Sequence, residues 1–238
     1  MSKNFKLILA IFYIAILVFF LYVLFSNLEV NRLNDFVYYK ELQRSIENFV
    51  FDNLLYNILL FSLFSIIWVS LLGFGSPLLI ISGIFFGKWI GTIVSVISIA
   101  VGALVLYSIA SFFFNDLVNR IFKKRFSNYI SLFKKNEFYY FFIFRFVGGL
   151  GIPFGLQNIL PVIFDMKKLN YFLSSVLGFI PSFFVWNTIG SGLNEYIEKS
   201  DNFSFIELIL SREIFLPILL FILLIISSII VKKKIFNA

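Results

Sequence analysis

The chain has 238 residues, of which 60% are apolar or aromatic and only 14% charged, with a mean hydropathy of +0.95. A soluble globule carries closer to a quarter charged residues, so this composition excludes one and identifies an integral membrane protein. The absence of Cys and His removes disulfides, thiolate chemistry, His- or Cys-based zinc sites, Ser-His-Asp triads and Cys-His pairs.

In chain order, the first apolar stretch covers 7–25, after Lys3 and Lys6. It is longer than the roughly 7–15 residues of a signal-peptide core and lacks a small-x-small cleavage site, so it reads as an uncleaved anchor. Residues 27–53 follow with Arg32, Lys40 and Arg44 against Glu29, Asp35, Glu41, Glu47 and Asp52, an acidic loop. Residues 1–53 therefore form an anchor plus acidic loop. Next come apolar stretches at 54–72 and 89–114, separated by a shorter piece at 77–87 that Gly and Pro interrupt. Residues 115–137 are basic: Arg120, Lys123, Lys124, Arg125, Lys134 and Lys135 against Asp116 and Glu137. Their alternation with Phe122, Phe126, Tyr129 and Phe133 predicts a helix lying on an anionic membrane face, and no nucleic-acid-binding motif accompanies it. A second interrupted piece at 138–164 precedes a long stretch at 169–189. Residues 190–213 are acidic again, 215–231 are apolar, and the tail carries Lys232, Lys233 and Lys234.

Lys and Arg concentrate on the cytoplasmic side of membrane proteins, which places both termini and 115–137 inside and the two acidic loops outside. The net charge of +7 thus records topology rather than a nucleic-acid partner. Five full crossings would put the termini on opposite sides. An internal repeat resolves this conflict: Gly73-Phe74-Gly75-Ser76-Pro77 and Gly149-Leu150-Gly151-Ile152-Pro153 share a G-x-G-x-P pattern 76 residues apart, and the same offset pairs Gly102 with Gly178. If each pattern tips a re-entrant hairpin, at 54–88 and 138–166, four crossings remain at 7–25, 89–114, 168–189 and 215–231. The predicted fold is an all-α polytopic membrane protein with about four transmembrane helices and two opposed hairpins in an inverted repeat, an arrangement common in transporters. The alternative is that the Gly and Pro residues only kink and pack helices; Gly102, Gly178 and Pro181 have that packing role in either case.

Few polar residues fall within the apolar segments. Arg145, in Phe144-Arg145-Phe146, is costly in hydrocarbon and normally faces a polar interior; its guanidinium can grip a phosphate with paired hydrogen bonds. Snorkelling to the interface, or bonding hairpin carbonyls, is the structural alternative. Gln157 and Asn158 follow Pro153 and are candidates either to bond a ligand or to cap the opposite hairpin. Lys88 and Asp165 end the returning arms as interfacial residues, Trp186 reads as an interface anchor, and Asn187 carries no assignment.

These residues together resemble the DedA/VTT-domain membrane family, also called SNARE-associated Golgi proteins, on its vesicle-protein-like branch. The resemblance runs through Pro77-Leu78-Leu79-Ile80-Ile81-Ser82-Gly83-Ile84-Phe85-Phe86-Gly87, Gly91, Gly102, Phe144-Arg145-Phe146, Pro153-Phe154, Asn158 and Gly178-Phe179-Ile180-Pro181 to Gly190-Ser191, about half the chain. It implies a VTT-like core at 54–192, followed by an acidic loop and a C-terminal span at 193–238. It further implies movement of phospholipid or polyprenyl-phosphate between leaflets, with Arg145 matching the family's arginine before the second hairpin. Departures are visible: 54–88 holds no acidic residue, with only Asp52 at its entrance, Gly148 stands where Pro is usual, and a second arginine near Pro153 is missing. A hairpin carboxylate for proton coupling is therefore lacking.

The expected function is a transporter or scramblase-like protein that binds an anionic headgroup between the hairpin tips through Arg145, Gln157 and Asn158. A small-solute or ion carrier and a non-transporting membrane scaffold are the alternatives. The expected partners are membrane lipids, with no nucleic acid, and a homo-oligomer is left open. No enzyme activity, cofactor or metal is expected, and the expected location is a bacterial inner membrane.

Overall fold

An apolar solvent leaves backbone amides no partner but one another, so long apolar runs are driven to helix. The computed structural model describes residues 36–71, 74–122, 127–200 and 204–236, together with Ala15, Val18 and Tyr22, and the described residues are helical with no strand. By internal contacts the chain forms two units, Met1–Leu42 and Gln43–Ala238. The predicted anchor at 7–25, apart from Ala15, Val18 and Tyr22, lies outside the described residues, as do Gly73 and the run 123–126. The helices are α1 (Phe36–Asp52), α2 (Leu54–Ser70), α3 (Gly75–Phe122), α4 (Ser127–Lys135), α5 (Glu137–Phe146), α6 (Phe154–Ile159), α7 (Lys168–Lys199), α8 (Phe205–Leu210) and α9 (Arg212–Phe236). Short 3-10 segments at Gly148–Gly151 and Leu160–Phe164 flank α6. Everything below concerns the second unit.

Helices α3 and α7 form the central pair, and Ile99, Ala100, Ala103 and Tyr107 of α3 share one buried core with Tyr171, Phe179 and Phe183 of α7. Two helical turns-and-returns pack against this pair. In the first, α2 leads to a turn and the chain comes back as the start of α3, so that Phe61 meets Phe86 edge to face at 5.5 Å. Gly87, at φ 72 and ψ 178, breaks the helix between this returning arm and the long segment after it. In the second, α5 leads to the 3-10 turn and α6 returns. Phe133 of α4 stacks on Phe164 at 4.3 Å.

The predicted repeat is visible in the packing. A Cβ built on Gly102 would meet Val69 Cβ and the Ile66 carbonyl, each at 2.9 Å. A Cβ built on Gly178 would overlap Arg145 Cβ and lie 3.1 Å from the Phe142 carbonyl. Every member of the second contact stands 76 residues after its counterpart in the first, so Gly102 and Gly178 have the same packing role. Pro181 sits inside the unbroken α7.

Several expectations change. The two G-x-G-x-P patterns do not turn alike: Gly149 and Gly151 adopt φ of 73 and 82, whereas Gly75 and Pro77 already belong to the first turn of α3. Proline is well accommodated there because the first helical amides have no internal acceptor. Helix α3 also continues past 114 to Phe122, and α7 past 189 to Lys199. Hydropathy marks where a helix meets the apolar solvent, not where the helix stops.

Among the described residues, two helical stretches are long and apolar enough to cross a membrane, Gly75–Phe113 and Lys168–Lys199. At 1.5 Å per residue the second is about 48 Å long, more than a hydrocarbon core of about 30 Å requires.

Candidate functional site

Arg145 points from the last turn of α5 into the unit and is only 1% exposed. Its position follows from Gly178, whose missing side chain lets α5 approach α7 until the arginine Cβ lies against it. The guanidinium Nη1 donates to Gln157 Oε1 at 3.1 Å, while Nη2 donates to Asn158 Oδ1 at 2.5 Å and to the Tyr171 hydroxyl at 3.0 Å. Four rings surround it, with Phe179 and Phe141 nearest, at 4.7 and 4.8 Å from the guanidinium carbon. Phe154 and Tyr171 stand farther out, at 5.8 and 5.7 Å.

All three acceptors are neutral. Among the described residues no carboxylate lies within ion-pair distance of Arg145. Removing an ion from water costs several kcal/mol after relaxation, and neutral acceptors with aromatic faces soften that cost without cancelling the charge. Arg145 Nε and Asn158 Nδ2 are also buried with no hydrogen-bond partner. Both are donors. The cluster therefore lacks an acceptor and a negative charge together.

The surrounding shell fixes this arrangement. Gln157 Nε2 donates to the Ile152 carbonyl at 2.6 Å, which clamps the second turn, and Gly149 is required there because any Cβ at that position would run into the Gln157 amide. Tyr171 stacks on Tyr107 with ring centres 4.6 Å apart, and the Tyr107 hydroxyl donates to the Met166 carbonyl at 2.5 Å. Buried Glu137, one helix length before Arg145, accepts from the Lys167 amide at 3.2 Å and from Asn170 Nδ2 at 2.6 Å. Its carboxylate thus caps the start of α7, where the helix dipole favours negative charge.

A cavity of about 640 Å³ opens beside the cluster. The first turn lines it with Phe74, Gly75 and Ser76, and the second with Gly148, Gly151 and Phe154. Arg145 and Gln157 complete its polar part, while Phe179, Ser182, Phe183 and Trp186 of α7 and Phe221 and Ile225 of α9 form its far wall. The wall is mostly apolar, and Arg145 is the one formal charge among its lining residues.

The sequence-derived candidates Arg145, Gln157 and Asn158 thus come together, but the two amides bond the arginine and their own turn. Trp186 lines the cavity edge to face with Phe221, ring centres 5.2 Å apart. Asp165 is exposed, in a left-handed conformation, and pairs with Lys134 at 3.3 Å. Tyr171 was not singled out by sequence reasoning; in a Phe- and Tyr-rich chain only the stacked Tyr107 and the bonded arginine distinguish it. Asn187 proves to be a buried packing residue, with Nδ2 donating to the Phe183 carbonyl at 2.8 Å.

A VTT-domain family model matches residues 72–192, from the first turn to the end of the contact between α3 and α7. That span is half of the chain and contains Gly102 and the whole second half of the repeat, while Ile66 and Val69 of the first half lie before it. The chain belongs to the VTT-domain family. No curated protein and no solved structure matches it. The VTT domain contains the whole Arg145 cluster, whereas Phe221 and Ile225, which close the cavity, lie beyond the domain's end.

Proposed function

We propose that this VTT-domain membrane protein moves an anionic lipid, a phospholipid or polyprenyl-phosphate, between leaflets, with the phosphate held at Arg145. The observation that carries this reading is the buried arginine without a carboxylate, on the wall of a cavity, with its own Nε and the neighbouring Asn158 Nδ2 unpaired. A phosphate oxygen supplies both the missing charge and the missing acceptor, and charge-assisted hydrogen bonds of this kind are the strong ones. Gln157 and Asn158 orient the guanidinium rather than touch the ligand first. The mechanism needs no covalent step, and the protein acts as a carrier rather than an enzyme.

The re-entrant reading of the second turn is supported by arm length, whereas α2, with 17 residues and about 26 Å, comes close to a full crossing. Helix α5 has 10 residues, about 15 Å, and the returning 154–164 is of similar length. Each is half of a hydrocarbon core. Unpaired backbone in the Gly148–Gly151 turn then faces a protein-lined cavity, the one setting in which irregular backbone at membrane depth is tolerated. The loop charges support cytoplasmic termini and insertion of the turns from opposite faces of a bacterial inner membrane. A small-solute carrier is the second reading, favoured by a cavity volume within the roughly 300–1,000 Å³ of small-molecule sites.

Leaflet exchange of labelled anionic lipid in proteoliposomes tests the proposal. Wild type exchanges the lipid and Arg145→Gln loses at least tenfold in rate. Equal rates would remove Arg145 from the mechanism, and no exchange by the wild type, with a soluble anion stabilising the protein instead, would favour the solute carrier.

A further inference from the structure

The cavity has a direction. On α7, Phe179, Ser182, Phe183 and Trp186 stand at i, i+3, i+4 and i+7, the spacing that puts side chains on one helix face. Phe179 lies over the Arg145 guanidinium at 4.7 Å, Phe183 stacks on Phe179 with centres 4.4 Å apart, and Trp186 meets Phe221 of α9 at 5.2 Å. The charge is therefore at one end of an aromatic track that runs along α7 for about 10 Å, at 1.5 Å per residue, and ends between α7 and α9. A site built for a free anion has no use for such a track, because phosphate oxygens gain nothing from ring faces.

We infer that the site takes an amphiphilic anion whose apolar chain lies inside the protein, along Phe179, Phe183 and Trp186, with Phe221 and Ile225 of α9 as the opposite wall. This inference deepens the proposed function and rests on it for the phosphate at Arg145. It assigns to α9, outside the matched VTT domain, the role of selecting the ligand by its tail. A lipid whose chains stay wholly in the bilayer would need only the Arg145 end. A carrier that holds the first part of the chain must also part α7 from α9 to release it.

The chain's own tryptophans supply the test. Trp68 donates to the Phe74 carbonyl, and Trp89 is 67% exposed on α3. In nanodiscs, the Trp68→Phe, Trp89→Phe protein leaves Trp186 as the only emitter, and Trp68→Phe, Trp186→Phe leaves Trp89 as an outward-facing control. The probe is octyl phosphate brominated at its last carbon, with brominated octanol as its uncharged counterpart and inorganic phosphate as competitor. Saturable quenching of Trp186 that inorganic phosphate reverses, with Trp89 quenched equally by both brominated compounds and without saturation, is the expected result. Arg145→Gln abolishes the saturable part. Moving the emitter to the opposite wall, with Phe221→Trp in a protein lacking the three native tryptophans, restores it.

Two failures separate the inference from the function beneath it. Arg145-dependent protection from heat by inorganic phosphate, with the brominated chain quenching neither wall beyond the alcohol control, would overturn the tail track and leave the anion site standing. Absence of any Arg145-dependent effect, from either compound, would overturn both. Saturable quenching at Trp186 but not at position 221 would overturn the role given to α9.

Discussion

The two halves of the repeat share a backbone contact and differ in what they place there. In the first, Gly102 receives Val69; in the second, Gly178 receives Arg145, and both received side chains are buried. The neighbours have diverged in step. The positions 76 residues before Gln157, Asn158 and Tyr171 are Ile81, Ser82 and Ser95, which offer no set of acceptors for a guanidinium. Ser82 and Ser95 instead donate to the Gly91 carbonyl, at 3.0 and 2.5 Å. One half is thus an apolar brace, and the other uses the same brace to hold a charge. The packing and the charge are separable inventions, and the glycines belong to the packing.

Substitutions that exchange or break this correspondence rank by expected effect on stability. Val69→Arg is the most severe: it buries a cation without the second half's acceptors, at a cost above about 4 kcal/mol, and chromatography in detergent should yield little monodisperse protein. Gly178→Ala overlaps the Arg145 Cβ, which its own backbone holds in place, and should cost about 2–3 kcal/mol in thermal or denaturant unfolding. Gly102→Ala meets Val69 Cβ and the Ile66 carbonyl less closely and should cost about 1–2 kcal/mol. If Gly102→Ala proves the worse of the two, the second contact is not the tighter one.

Smaller effects sharpen the contrast. Glu137→Gln keeps an acceptor for Asn170 but removes the negative charge at the start of α7, a loss of about 0.5–1 kcal/mol, and because Glu137 is buried the shift should change little with salt. Arg145→Met removes a desolvated charge but leaves the buried Asn158 Oδ1 without its donor, so unfolding stability should fall by no more than about 1–3 kcal/mol, while lipid exchange falls at least tenfold. Val69→Met, the matching change in the first half, should leave exchange within twofold of wild type. A large loss of stability in Arg145→Met would mean that the arginine is structural.

Much of this was legible in the sequence because it rests on residue types with few substitutes. A glycine pair at fixed offset marks close helix approach, and an arginine between phenylalanines marks a polar interior. Gln157 and Asn158 were legible as polar residues after Pro153, but not as partners of Arg145, since nothing in local spacing says which way an amide faces. Tyr171 and Trp186 were obscured for another reason. Their roles depend on Tyr107, 64 residues earlier, and on Phe221, 35 residues later, and aromatic residues are too common in this chain to point to any pairing. The unlike geometry of the two G-x-G-x-P turns was also hidden, since glycine permits both the helical and the left-handed conformation.

The most direct test is dipolar recoupling between ³¹P and arginine ¹⁵N in lipid bilayers, comparing wild type with Arg145→Lys. With anionic lipid present, the account predicts dephasing of an Nε signal that is absent from the Arg145→Lys spectrum and corresponds to a phosphorus within about 4 Å, the reach of one charge-assisted hydrogen bond. Identical dephasing in the two proteins, arising only from arginines at the membrane surface, would contradict a phosphate at Arg145.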